Sequence, residues 1–178
     1  MVAGSLKGRR LQAPLAGDLR VRPTADRARE ALFSILMRWP SGAFLDLFSG
    51  TGAVGIEAHS RGYGPVACVE VGEPAWSCLE RNLSGLPVQA LRTDALRLGA
   101  EAFHGQAVIF LDPPYEQAPQ VWTDLAGRLG AWLAPGGILV FETEHRTVLE
   151  LQPGWTLAET RKYGAARFHF WTFAQVEG

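Results

Sequence analysis

Four short stretches hold the side chains best suited to chemistry. "DPPY" (112–115) follows the apolar run "VIFL", "SGTGAVG" (49–55) follows "AFLDLF", Glu70 ends "VACVE", and "TDA" (93–95) follows "VQAL" shortly afterwards. Two prolines stop a core strand rigidly and neither can donate a backbone hydrogen bond. The Asp112 carboxylate and the Pro113 carbonyl can therefore accept the two N–H bonds of an exocyclic amine, while the Tyr115 ring stacks on the base that carries it. Gly50, Gly52 and Gly55 form a G-x-G-x-x-G that opens a helix after a strand. That pattern, with an acid ending the next strand, fits a nicotinamide dinucleotide and equally fits other adenosine cofactors. Glu70 can accept both ribose hydroxyls of any of them. Asp46, four residues before Gly50, discriminates. It would repel a pyrophosphate but favour a ligand carrying an ammonium and a sulfonium. Asp94 offers an acceptor for an adenine amino group.

These residues need a frame that brings strand ends together. After Pro23, Thr24 is placed to cap a helix whose apolar positions Ala28, Ala31, Leu32, Ile35, Leu36 and Trp39 share one face, and Pro40 and Gly42 end it. Strands are expected at 43–48, 66–70, in "VQAL", at 107–111 and at 137–142. Helices "SGTGAVGIEAHSRG", "EPAWSCLERNL" and "QVWTDLAGRLGAWL" lie between them, the first closed by Gly62. Such alternation predicts a mainly parallel sheet with helices on both faces. "WTLAETRK" and "ARFHFWTF", around Tyr163, Gly164 and Ala165, add an antiparallel hairpin and bring the sheet to seven strands. In an α/β sheet of this kind ligands bind beyond the carboxyl ends of the strands, where all four stretches fall.

The 178 residues suit one catalytic domain, and 47% hydrophobic with 20% charged is ordinary for a globular chain. The net charge of −1 conceals an asymmetry: residues 1–39 hold eight bases against three acids, a net of +5, which leaves −6 for the remainder. We read residues 1–22 as a basic N-terminal arm and 23–178 as the catalytic domain, with a polyanion as the arm's partner. Lys7, Arg9, Arg10 and Arg22 are its candidate contacts. Cys68 and Cys78 make no metal or redox spacing, and His59, His104, His145 and His169 are scattered, so no metal site is expected. No apolar run approaches the roughly 18 residues of a membrane helix, and "MVAGSLKGRR" lacks the apolar centre of a signal peptide. The expected location is the cytoplasm, with no membrane partner.

"DLFSGTG", "VE", "TDA" and "DPPY" together resemble the motifs of Rossmann-like S-adenosylmethionine-dependent methyltransferases. With "GSLKGRRL" and "VRPTADRAREALFSIL", essentially the whole chain resembles the bacterial 16S ribosomal RNA (guanine-N2)-methyltransferases, which act at the guanine conventionally numbered 966. The resemblance implies S-adenosylmethionine as cofactor, with Asp46, Gly50 and Gly52 beside its methionine part, Glu70 at its ribose and Asp94 at its adenine. It implies that Asp112, Pro113 and Tyr115 hold the guanine, and that 16S RNA, the 30S subunit or an assembly intermediate is the partner. The amine is a poor nucleophile, so the expected catalysis is chiefly positioning. Competing expectations are a DNA or other amino-methyltransferase with the same chemistry, a dinucleotide-dependent oxidoreductase, and a non-catalytic RNA-binding module.

Overall fold

The computed structural model describes residues 1, 3–13 and 26–174. Helix α1 (Asp26–Leu36) buries Ala28, Leu32, Phe33 and Leu36, a row at helical spacing that fixes which face meets the sheet. Its expected cap, Thr24, lies outside the described residues. Strand β1 (Phe44–Leu47) follows, then α2 (Ala53–Ser60), β2 (Val66–Glu70), α3 (Ala75–Leu83), β3 (Val88–Arg92), β4 (Gln106–Leu111), α4 (Ala118–Trp132), β5 (Leu133–Glu144), β6 (Trp155–Tyr163) and β7 (Ala166–Phe173).

The seven strands pair in the order β3-β2-β1-β4-β5-β7-β6, with β1 to β5 parallel and β7 antiparallel to both β5 and β6. The α/β fold with a C-terminal hairpin is thus as expected. Chain order reverses between β1 and β4, which makes the crevice above their carboxyl ends the switch point of the sheet. Both strands are buried throughout, because side chains on both faces meet helices. Phe44, Cys68, Val108, Phe110 and Val140 meet α1, α2 and α3 on one face. Leu45, Leu47, Ile109, Leu111 and Phe141 meet Val121, Trp122, Leu125 and Leu129 of α4 on the other.

Two expectations change. Strand β5 begins at Leu133 and runs to Glu144, well beyond 137–142, because a register shift against β4 lets Leu133 pair with Gln106 before Ile138 pairs with Val108. Of the expected arm, residues 3–12 also do not stand away from the body. Ala3 N–H donates to Glu57, Ser5 N–H to the Ser60 carbonyl at 2.8 Å, and Leu6 N–H to Ser60 Oγ at 2.9 Å. Gln12 N–H donates to Asn82 Oδ1 at 2.8 Å, and Asn82 Nδ2 returns a bond to the Gln12 carbonyl. Leu6 and Leu11 pack against the α1–α3 core, so apolar burial and backbone pairing together outweigh the freedom of a glycine-containing basic tail.

Glu57 anchors this docking. Fully buried, it lies 2.8 Å from Arg61 and 3.8 Å from Arg29, itself only 4% exposed. Breaking a buried pair from one side leaves an uncompensated charge, so Glu57→Ala is expected to cost about 3–5 kcal/mol. Glu57→Gln should cost less, because an amide oxygen still accepts from Ala3 and Arg61. Urea unfolding of both variants, with hydrogen exchange at Ala3, Ser5 and Leu6, checks this. Equal stability in all three proteins would remove Glu57 from the docking.

Candidate active site

The turn after β1 is held by short backbone and side-chain bonds. Phe48 has φ of +59°, an outlier for a bulky residue, and such strain gathers at functional sites. Ser49 holds the conformation: its N–H donates to the Val69 carbonyl at 2.9 Å and its hydroxyl to the Asp46 carbonyl at 2.6 Å. Gly52, in the left-handed region at φ of +82°, caps α2, and a Cβ there would lie 2.5 Å from Leu79. Gly55 has the stricter requirement. A Cβ on it would lie 2.4 Å from Cys68 Sγ, so its absence lets α2 rest directly on β1 and β2.

Asp46 is the carboxylate under that contact. It is 1% exposed and accepts the Gly55 N–H at 2.8 Å. Burial pushes its pKa up to about 7, the Gly55 bond pulls the other way, and the charge of Glu70 adds to the rise. Glu70 closes the neighbouring turn. Its Oε2 accepts from Gly50 N–H at 2.8 Å, and its Oε1 accepts from Val71 and Gly72 N–H at 2.9 and 2.7 Å. The carboxylate thereby ties the glycine turn to the end of β2 and keeps lone-pair capacity on Oε2 for a further donor.

Above β1, β2 and β3 lies a shallow open depression lined by Phe48, Val69, Glu70, Val71, Thr93 and Ala95. Asp94 stands between two lining residues, but its Oδ1 caps the 3-10 turn Ala95–Arg97 by accepting from Leu96 N–H at 2.9 Å. The apolar lining by Phe48, Val71 and Ala95 could not be read from motif spacing, although the run of residues after each strand was the place to look.

Past β4, Pro113 is buried, Asp112 and Tyr115 are half-buried, and Tyr115 opens the 3-10 turn Tyr115–Gln117. The Tyr115 hydroxyl donates to Glu142 Oε1 at 3.4 Å. Glu142 is 4% exposed and follows Ile138 and Val140 on the α1–α3 face of β5, level with Asp112 in the register that pairs Leu111 with Phe141. Sequence reasoning passed over Glu142 as a strand-end residue. On the opposite face, Thr143 Oγ1 lies 2.9 Å from His169 Nε2. Burial and the neighbouring Arg167 charge lower the His169 pKa to about 4, so the ring is neutral at pH 7.

Of the candidate RNA contacts, Lys7 and Arg10 are exposed, whereas the Arg9 guanidinium donates to the Asn82 and Ser84 carbonyls at the end of α3. Arg22 lies outside the described residues. Among the described residues there is no cluster of metal-ligating side chains, and no helix is long and apolar enough to cross a membrane.

The family described as Conserved hypothetical protein 95 matches residues 1–172. Ribosomal RNA small subunit methyltransferase D of Haemophilus influenzae is 29% identical over 184 residues, covering 96% of this chain and 92% of its own. The protein of the same name from Buchnera aphidicola of Acyrthosiphon pisum is 30% identical over 162 residues, covering 88% and 84%. The chain belongs to the ribosomal RNA small subunit methyltransferase D family. The solved structure of a hypothetical protein from Thermus thermophilus superposes on this family member with a TM-score of 0.80 at 29% identity, covering 95% of this chain and 96% of that one. The sheet is accordingly the Rossmann-like methyltransferase fold.

The raised pKa of Asp46 makes a prediction about this methyltransferase. The unfolded chain releases that proton near pH 3.8, whereas the folded protein holds it to about 7. The contribution of Asp46 to stability should therefore be greatest below pH 4 and fall by about 1.4 kcal/mol per pH unit up to 7, on the order of 4 kcal/mol in total. Asp46→Asn keeps an acceptor for Gly55 and removes the titration. The difference between the urea midpoints of parent and variant should grow in favour of the variant from pH 5 to 7.5. A difference independent of pH would show that Asp46 ionises normally.

Proposed function

We propose that the protein transfers a methyl group from S-adenosylmethionine to the N2 amine of a guanine in 16S ribosomal RNA, acting in the cytoplasm on the RNA, the 30S subunit or an assembly intermediate. One observation carries this reading. The amine-accepting turn past β4 and the glycine turn past β1 stand on neighbouring strands, about 4.8 Å apart, at the switch point of the sheet. An amine held by the first turn is within reach of a group held by the second.

The residues fit such a cofactor chemically. Asp46 and Glu70 provide negative charge at the methionine and ribose ends, Gly50 and Gly52 permit close backbone approach, and the apolar side chains Phe48, Val71 and Ala95 beside Glu70 offer a surface for a flat purine to lie against. When bound, S-adenosylmethionine supplies an electrophilic methyl group on a sulfonium. Asp112 and the Pro113 carbonyl accept the two N–H bonds of the guanine amine and hold its lone pair toward the β1 turn, which is a positioning effect. The Tyr115 ring supports the splayed base, and its hydroxyl bond to Glu142 keeps the ring from swinging. Asp112 takes the proton most easily after transfer, when the amine has become acidic.

Asp112→Ala should abolish methyl transfer to 16S RNA while leaving S-adenosylmethionine affinity within about twofold, and Asp112→Asn should retain partial activity through its single acceptor. Labelled-methyl transfer with mapping of the modified base, alongside calorimetry, reads both. Parental rates in both variants would end the positioning assignment, and a product other than N2-methylguanine would end the substrate assignment. The cofactor makes a separate prediction. A cation beside Asp46 favours its ionised form, so affinity should rise as pH goes from 6 to 8 in the parent and change much less in Asp46→Asn. Parallel pH profiles would place the ammonium and sulfonium away from Asp46.

A further inference from the structure

The antiparallel hairpin brings a second basic group to the catalytic end of the sheet, one that the N-terminal charge asymmetry does not include. Lys162 on β6 and Arg167 on β7 are directly opposed, one position inside the turn formed by Gly164 and Ala165. Like charges directly opposed across a strand pair are destabilising. Neither side chain has a carboxylate within ion-pairing distance among the described residues, since the nearby Glu159 is engaged by Arg38 and Arg161. Glu144 pairs in register with Ala166, so its side chain points to the face away from Arg167, whose own partner on β5 is Thr143. His145 N–H donates to the Ala165 carbonyl at 2.9 Å, and the exposed Arg146 follows it in the chain with its Nε donating to His145 Nε2 at 3.3 Å.

Register also sets how far this group lies from the reacting end. Leu111 pairs with Phe141, which places Asp112 level with Glu142, and Glu142 pairs with Phe168, next to Arg167. Arg167 is two strands from β4 and Lys162 three, about 10 and 15 Å at ordinary strand spacing. That is the scale on which the backbone flanking a splayed base must lie.

We propose that Lys162 and Arg167, with Arg146 beside them, form a phosphate-binding rim that grips the RNA backbone flanking the target base. The rim rests on the reading of the protein as an RNA methyltransferase and adds a surface to it. Two unpaired cations are kept opposite each other, against local stability, because a polyanion neutralises both. Arg-to-phosphate and Lys-to-phosphate contacts of this kind set position without reading sequence.

The test is binding of a 16S RNA transcript over a range of salt concentrations. Lys162→Gln/Arg167→Gln should weaken binding at least fivefold at 0.1 M salt and make the slope of log affinity against log salt shallower by about 1.4 to 1.8, for two lost contacts. Its thermal midpoint should be unchanged or higher, and its S-adenosylmethionine affinity unchanged. Lys162→Glu guards against a folding artefact, since it places opposite charges across the pair and should stabilise the hairpin while weakening RNA binding further. A salt slope equal to the parent's in both variants overturns the rim. The salt series reads binding alone: a parent that binds the transcript without methylating it would defeat the proposed function and leave the rim standing, whereas active methylation with unaltered slopes would do the reverse.

Discussion

The carboxyl end of the sheet depends on how closely α2 can rest on β1 and β2, and Gly55 sets that distance. With no side chain between the helix and Cys68, the Gly55 N–H reaches Asp46 at 2.8 Å and the first turn of α2 points at the crevice. A methyl group at this position would push α2 outward, and the glycine turn would follow, because Gly52 is both the cap of α2 and a neighbour of Leu79. The turn would then lose its bond to Glu70, and Glu70 its grip on the end of β2. A single close approach thus fixes the helix, the turn and the carboxylate together.

That contact leaves a carboxylate inside an otherwise apolar row, and its energy runs against the fold at neutral pH. An apolar residue in place of Asp46 would suit Phe44 and Phe110 on the same face, but it would leave the buried Gly55 N–H without its acceptor. The retention of Asp46 makes sense if ionisation is deferred until a cation arrives, so that the desolvation cost borne by the empty site is offset on binding. Glu70 differs in that three backbone N–H groups satisfy it beforehand. One carboxylate is thereby preorganised and the other poised.

How much of this was legible in the sequence follows from how local each cause is. Strand and helix alternation was legible because each apolar run is bounded by glycine or proline, and the site motifs were legible because they occupy the few residues after each strand. Docking of residues 3–12 was not, since it relies on Ser60 and Asn82, polar residues on helices whose pattern reads as surface. The early start of β5 was hidden by "APGG" (134–137), which reads as a turn but is absorbed by the register shift against β4. Phe48 looked like the last residue of a strand, and only its φ shows that the chain already turns there. Glu142 required the pairing of β4 with β5 before its place beside Tyr115 could be seen.

The distribution of charge makes a net value of −1 a poor guide to the partner. At the crevice stand Asp46, Glu70, Asp112 and Glu142, carboxyl groups which on the proposed reading would face a cationic cofactor and an amine that donates hydrogen bonds. Acceptor groups of this kind offer nothing to a phosphate, which is itself only an acceptor. An RNA chain can present a base to them only if the base is uncharged and splayed away from the backbone, and if the phosphates are held elsewhere by cations. On the proposed reading the hairpin would meet that need because, as the added antiparallel element, it returns to the carboxyl end of the sheet, with β7 two strands from β4. Acid under the base and base under the phosphates would then follow from one constraint, the separation of a nucleotide's hydrogen-bonding edge from its charge.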